Sequence, residues 1–485
     1  MTNEIKPPNP AYKTEAQSVA RLEELELKAG LFKYQIDGYS AWRLLRFKMA
    51  GILQNLPFSA PSNPPGISWV TERLVYFLRE IPVFLFPQRK EVVVKTVSTA
   101  LSEEENGFYK DIYFDDLFDN GDMCFKIETL NNPGYAKRRK NALFPIAITT
   151  ALIDLISAVF AFMRIPIHTR YVAAQIHNDI RQEFQGLAPA EKDIQRSLLR
   201  FYWSKRLYKW LLARIQPKIT LSADTGEFAF WAASQELGIP AVEFQHGVFS
   251  RTHPNALTST MNAYRGHLLV PNKILLYGEY WKQQLLLNQY YRGELVSVGS
   301  PRIDRYRAVR NHILKTNHHE EKVALLLTSQ GLDRERLIAF MREFVDVTNS
   351  KFQYTLYIKL HPAEKDKNPY VQAFMGYPQV KILYGFEAPS TFELLVKADL
   401  HISIASASHY DALGLFVPTA VLPLAGYELV QNLVDAGHAH ALHTPQDLTD
   451  LVSNTRDLEV PREISHYYYE PDAVQNIKRE IGLLK

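Results

Sequence analysis

Residues 323–349 read "VALLLTSQGLDRERLIAFMREFVDVTN", and residues 354–362 read "YTLYIKLHP". An unbroken apolar run from Val323 to Leu327 ends on Thr328-Ser329-Gln330-Gly331, and a charged segment of helical period follows. A second strand-like run then closes on Lys359-Leu360-His361-Pro362. An apolar run without polar alternation fits a strand covered on both faces, which is the habit of parallel sheets flanked by helices. Strand, helix and strand in that order make a βαβ unit.

The same alternation extends in both directions. Downstream come strand "VKILY", helix "STFELLVKA", strand "LHISIA", helix "SHYDALGLF" and strand "TAVLPL". Upstream, "ITLSA" leads to helix "EFAFWAASQELG", and "AVEF" ends at Gln245-His246-Gly247. "KILLYG" precedes "EYWKQQLLLN", and "LVSVG" precedes "SPRIDRY". A polar stretch near residues 308–321 separates the two runs. The fold expected is α/β: two Rossmann-like, doubly wound domains facing a central cleft, at residues 1–270 and 271–485, with extra N-terminal helices. Those extra helices are expected over 15–56, where Ser40 caps a stripe of Trp42, Leu45 and Met49, and as one long helical pattern from Tyr171 to Gln216. "EVVVKTVSTAL", from Glu91, reads as a buried parallel strand.

Composition narrows the function classes. The 485 residues carry 55 basic and 52 acidic side chains, a formal net charge of +3, which argues against a dedicated nucleic-acid binder. A single cysteine, Cys124, precludes an intramolecular disulfide framework and fits a reducing, cytoplasmic setting. The opening "MTNEIKPPNPAYKTEAQ" lacks the apolar core of a secretory signal. The run from Ala142 to Met163 is apolar, follows the basic cluster Lys137-Arg138-Arg139-Lys140, and has Asp154 near its middle. Three readings stand for it: a buried domain helix, a spanning helix burdened by Asp154, or a helix on the inner membrane surface, with peripheral contact through 137–164.

In open parallel sheets ligands bind beyond the carboxyl ends of the strands, so residues just after strands are the site candidates. Asp224, in Asp224-Thr225-Gly226-Glu227, suits a general base, and equally a helix cap. His246, before Gly247, suits a base or a phosphate ligand, and equally a histidine bonded to a backbone carbonyl. Ser329, Gln330 and Gly331 form an anion-binding turn or a plain capped loop. Lys359 and His361 fall on one strand face with Pro362 ending the ladder, the pattern of a phosphate clamp. Ser406 and Ser408 could hold phosphate oxygens and Asp411 ribose hydroxyls, with N-capping by Ser408 as the structural alternative. His438, His440 and His443 lack neighbouring carboxylate or thiol ligands, so no metal site is expected.

Together "DTG", "VEFQHG", "VGSPRIDRY", "KLHP" and the Ser-rich strand end resemble bacterial GT-B glycosyltransferases of capsule and lipopolysaccharide biosynthesis. The resemblance covers about residues 215–445 and is to the sialyltransferase and Kdo-transferase group, more distantly to CDP-glycerol glycerophosphotransferases. It implies a nucleotide-sugar donor as co-substrate, CMP-linked and of Kdo or sialic-acid type; no Asp-x-Asp motif appears in a suitable loop, so a metal-independent transfer without a further cofactor is expected. It implies an acceptor that is a surface polysaccharide or lipid-linked glycan. Carried over residue by residue, Asp224 becomes the general base, His361-Pro362 the CMP contact and Ser406/Ser408 the phosphate contact, while the glycerophosphotransferases imply His246 as base. Transfer of a polyol phosphate and non-catalytic binding of a sugar nucleotide are the alternatives.

Overall fold

Leu325, Leu326 and Leu327 are all buried, as are Val92, Val93 and Val94 and the whole of Ile219–Ser222 and Ala241–Phe244. Side chains alternate across a strand, so consecutive buried residues require cover on both faces. Each buried Val, Leu, Ile or Phe among them contributes roughly 1.5–3 kcal/mol, which makes these runs the centre of each sheet. A computed structural model describes residues 15–54, 67–97, 100–103, 107–118, 123–129, 142–184, 186–223, 226–249, 253–286, 295–316, 322–331, 333–348, 353–361, 364, 366–385 and 388–484.

The chain divides into two compact units. The first comprises Met1–Leu276, Trp281–Ser297 and Ile477–Lys485, and the second Tyr277–Tyr280 and Val298–Asn476. The first unit's sheet therefore runs past residue 270, taking in Lys273–Leu276 and Leu295–Ser297.

In the first unit a seven-stranded sheet is built from Val92–Val97, Cys124–Thr129, Ile148–Thr149, Ile219–Ser222, Ala241–Phe244, Lys273–Leu276 and Leu295–Ser297. Numbered in chain order these lie 3-2-1-4-5-6-7, and every pairing is parallel. In the second unit six strands, Val323–Thr328, Tyr354–Lys359, Val380–Leu383, Leu400–Ser403, Thr419–Val421 and His440–Ala441, lie 3-2-1-4-5-6, again all parallel. That order is the doubly wound Rossmann order, in which the chain reverses its direction of travel between strands 1 and 4. Two Rossmann-like sheets in one chain are the make-up of the GT-B fold.

The N-terminal additions follow their sequence signals. Ser40 accepts from the backbone N–H of Arg43 and caps Ala41–Leu53, whose Trp42, Leu45 and Met49 are buried. The pattern expected as one helix from Tyr171 to Gln216 is two helices, His168–Glu183 and Glu191–Ile215. Gly186, at φ +88°, turns the chain between them, a conformation in which a Cβ is strained.

The apolar run 142–163 is not one helix. Ile148–Thr149 is an edge strand of the first sheet, and the helix covers Ala151–Phe162 only. Among the described residues no helix is long and apolar enough to cross a membrane. Asp154, which looked misplaced in mid-run, lies in the first turn and accepts from the Thr150 hydroxyl at 2.8 Å, where the helix dipole favours a carboxylate. The basic cluster 137–140 lies outside the described residues.

Candidate functional site

In the second unit the strand-1 and strand-4 ends meet at the reversal point. The register pairs Thr328 with Lys359 and Leu327 with Ile402. The loops beginning at Ser329, Leu360 and Ile404 therefore leave the same edge of the sheet. Gln330 spans two of them, its Oε1 accepting from the Ala405 N–H at 3.1 Å. Ser329 joins the other pair: its Oγ accepts from the His361 N–H at 3.2 Å and donates to Glu364. Glu364 also accepts from Tyr370 at 3.0 Å, and a Cβ at Gly331 (φ +70°) would lie 3.2 Å from its Cγ. Gly331 thus serves both the turn and the close approach.

Beneath Ser406 runs a buried chain of polar groups. Ser408 Oγ donates to Ser406 Oγ at 2.7 Å, and the Ser408 N–H reaches the same oxygen at 3.2 Å. A hydroxyl has one hydrogen, so Ser408 must accept from its other neighbours. These are Thr328 Oγ1 at 2.9 Å and His401 Nε2 at 3.0 Å, themselves 2.9 Å apart. His401 Nδ1 meets Thr419 Oγ1 at 2.8 Å, which His409 Nδ1 also meets at 2.6 Å. Burial drives His401 far below the usual imidazole range and His409 down to about 3, so both rings are neutral near pH 7. Thr328, His401, His409, Thr419 and Glu364 were not among the expected site residues.

Ser406 is half-buried and Ser408 buried. The cap position of Ser408–Gly414 is Ala407, so Ser408 is not an N-cap. Asp411, half-buried, accepts from the Tyr469 hydroxyl at 2.7 Å; burial raises its carboxyl pKa, opposed by that bond and by Arg302. Lys359 is half-buried and His361 exposed, consistent with alternation along Tyr354–Lys359. Burial lowers the Lys359 ammonium pKa, partly offset by the charge of Glu393. Pro362 lies outside the described residues.

In the first unit Ala241–Phe244 delivers Gln245 buried and His246 exposed. Gln245 is held by two bonds: its N–H donates to the Leu275 carbonyl at 2.9 Å and its Nε2 to the Gly247 carbonyl at 2.7 Å. The Tyr113 hydroxyl donates to the His246 carbonyl at 3.1 Å. Gly247 is not at positive φ, and among the described residues a Cβ there would meet nothing within 4 Å. Asp224 and Thr225 lie outside the described residues. Helix Phe228–Glu236 has Glu227 at its cap position, and the Glu227 side chain makes no capping hydrogen bond. Glu227 instead accepts from Lys95, a buried strand-1 lysine that also reaches Thr129 Oγ1 at 2.9 Å. Lys95 pairs in register with Ser222, so this ion pair stands at the reversal point of the first sheet.

Among the described residues no group of three or more His, Cys, Asp or Glu side chains could hold a metal ion. His438 meets the Tyr468 hydroxyl at 2.7 Å.

No family model matches the chain. No curated protein matches it in sequence. Among solved structures it is similar to the UDP-GlcNAc 2-epimerase of Neisseria meningitidis bound to UDP-GlcNAc, at 14% identity and TM-score 0.48 over 81% of this chain and 99% of that one. It is similar to the UDP-GlcNAc 2-epimerase of Methanocaldococcus jannaschii, at 12% identity and TM-score 0.49 over 81% and 99%. MurG of Acinetobacter baumannii is similar at 13% identity and TM-score 0.43 over 81% and 100%. The fold assignment rests on the two strand orders themselves.

Proposed function

We propose that the chain is a glycosyltransferase, moving a sugar from an activated nucleotide donor to a surface-polysaccharide or lipid-linked glycan. The observation that carries this reading is that the strand end at Lys359 and the loops carrying Gln330, His361 and Ser406 leave one edge of a 3-2-1-4-5-6 sheet at its reversal point. A cation and hydroxyl and amide donors at such a point suit a diphosphate or phosphodiester. The CMP-linked donor, of Kdo or sialic-acid type, is proposed on the sequence resemblance, as is attachment to the inner membrane face.

In the reaction, Asp224 or His246 takes the proton of an acceptor hydroxyl. The freed oxygen attacks the anomeric carbon, and the bond from that carbon to the phosphate oxygen breaks. The charge left on the nucleotide phosphate is met by Lys359 and by the Ser406 hydroxyl, already oriented before the reaction. Ser408, buried behind Ser406, acts on the phosphate through it, and Asp411 and His361 are assigned to the nucleoside.

An exposed His246 whose backbone is fixed at its carbonyl also supports a CDP-glycerol-type transfer with that imidazole as base. Incubation with CMP-Kdo, CMP-sialic acid, UDP-sugars and CDP-glycerol, with nucleotide release as readout, separates the readings. Binding without release under any acceptor would make the chain a sugar-nucleotide binder; failure to bind any nucleotide would overturn the proposal.

A further inference from the structure

Helix Ala151–Phe162 packs against Glu191–Ile215 in the first unit and leaves Leu155, Val159 and Phe162 on one exposed stripe. Phe162 is 87% exposed, and Met163, Ile165 and Ile167 follow it uncovered. The helix Ile67–Leu85, packed on the same helix, adds exposed Leu74, Leu78 and Leu85 at helical spacing. Water-facing apolar residues in such number mark an interaction surface.

This surface is held in place. Phe160 stacks on Trp203 with ring centroids 4.0 Å apart, and Trp203 Nε1 donates to the Ile165 carbonyl at 2.8 Å. Thr169 Oγ1 donates to the Pro166 carbonyl at 2.7 Å. The turn presenting Met163, Ile165 and Ile167 is therefore tied to the long helix.

Directly beside Phe162 a cavity of about 570 Å³ opens between the two helices, lined by Phe162, Arg164, Lys192, Arg196, Leu199 and Arg200. Four cationic side chains surround an apolar floor. Two carboxylates belong to the same first turn of the long helix: Asp193, 3.3 Å from Arg196, and Glu191, which pairs with Arg170 at 3.8 Å. Lys48, bonded to Ser197 Oγ at 2.8 Å on the same helix, adds a further cation near Arg200; its ammonium pKa is lowered by burial and by the Arg200 charge, opposed by Asp193.

We propose that this cavity seats the phosphate headgroup of an anionic lipid while the apolar residues around Phe162 enter the bilayer surface. The combination selects a lipid: a soluble phosphate would need the cations and not the apolar stripe, and a neutral bilayer the reverse. The proposal deepens the peripheral-attachment part of the reading above and is independent of which donor is used.

The full chain is sedimented with phosphatidylglycerol or phosphatidylcholine vesicles, and its nucleotide binding is measured in parallel. Wild type is expected to partition onto the anionic vesicles at least about tenfold better, with the preference falling as salt is raised. R196Q/R200Q is expected to lower anionic-vesicle binding about 30-fold, from two lost surface charges, with nucleotide affinity and thermal midpoint unchanged. Phe162→Ser is expected to weaken binding to both vesicles. Wild-type-like binding of R196Q/R200Q to anionic vesicles overturns the headgroup site while leaving attachment standing. No binding to either vesicle overturns attachment as well, and leaves the glycosyltransferase reading to its own nucleotide assay. Inorganic phosphate that binds the chain and abolishes no vesicle binding would overturn the lipid as the phosphate source.

Discussion

Ser408 donates its hydroxyl hydrogen to Ser406 across 2.7 Å while accepting from Thr328 and His401. The half-buried Ser406 is thereby left with its own hydrogen to offer a ligand, and the groups behind it fix where that hydrogen sits. Ser406→Ala is expected to weaken nucleotide binding about tenfold with little change in thermal stability, the cost of one hydrogen bond to a charged group. Ser408→Ala is expected to do the opposite: about 1–3 kcal/mol of stability lost, because buried Thr328 and His401 lose a partner, with a smaller effect on affinity. Calorimetric titration and thermal unfolding of both variants check the split; equal affinity losses would place Ser408 in direct contact with the nucleotide.

The two buried histidines give a pH dependence whose sign is fixed. His409 has its pKa lowered from 6.5 to about 3, and His401 is lowered too. Below pH 6.5 the unfolded chain takes up protons that the folded chain refuses, so stability is full above that pH and falls as pH drops toward 3. Each such histidine contributes a slope of up to about 1.4 kcal/mol per pH unit. His409→Asn is expected to have a shallower fall between pH 6.5 and 5 than wild type, measured by urea unfolding at each pH. Parallel curves would mean that His409 charges as readily folded as unfolded.

Lys359 is half-buried at the predicted phosphate position, and its ammonium pKa is already lowered by burial. Lys359→Met is expected to reduce nucleotide affinity at least about tenfold. With the pKa depressed from 10.5, anion binding should decline on the alkaline side at a lower pH than a free lysine would dictate. The same shift makes stability rise with pH between the folded and unfolded pKa values, since there the unfolded chain binds more protons. An affinity profile flat across that range, or unchanged in the methionine variant, would remove Lys359 from the site.

His246 and Asp224 are the two groups proposed as base. His246 is exposed, so His246→Ala is expected to leave the thermal midpoint and nucleotide affinity near wild type. If the imidazole is the base, nucleotide release in the presence of acceptor falls by 10²–10⁴-fold. Asp224→Ala showing that loss instead, with His246→Ala active, assigns the carboxylate.

Much of the architecture was legible because an apolar run such as Leu325–Leu327 has few stable solutions besides a doubly covered strand. The shared face of Lys359 and His361 followed from the two-residue period alone. The break between Glu183 and Glu191 was also written in the sequence, as Gly186 and Pro189, but was overridden by the helical period on either side. The apolar run around Asp154 was not decidable from content, because an edge strand plus a short helix with one covered and one exposed apolar face uses the same residues as one long helix. The chain behind Ser406 was out of reach for a different reason. Thr328, His401 and Thr419 come from separate strands, and only their register brings them together. A histidine inside the fully buried strand Leu400–Ser403 was the one local signal that a polar partner must exist.

The N-terminal helices have a structural task that can be tested apart from catalysis. Arg46 and Glu26 form a fully buried ion pair at 2.7 Å, and Glu26 also accepts from Trp42 Nε1 at 2.8 Å and Thr260 Oγ1 at 2.9 Å. Arg46 further donates to the Pro254 carbonyl, so the pair fastens the loop that follows Gln245-His246-Gly247. Removing one partner leaves a buried charge uncompensated, so Glu26→Leu is expected to cost about 3–5 kcal/mol. Replacing both, Glu26→Leu with Arg46→Leu, should recover part of that loss, since no lone charge stays buried. The loop would still lose its tie to Arg46 and Glu26. The double variant is therefore expected to show faster amide exchange over residues 254–260 than wild type at matched global stability. Protected exchange there in the double variant would mean that other contacts hold the loop, and that these helices only add core.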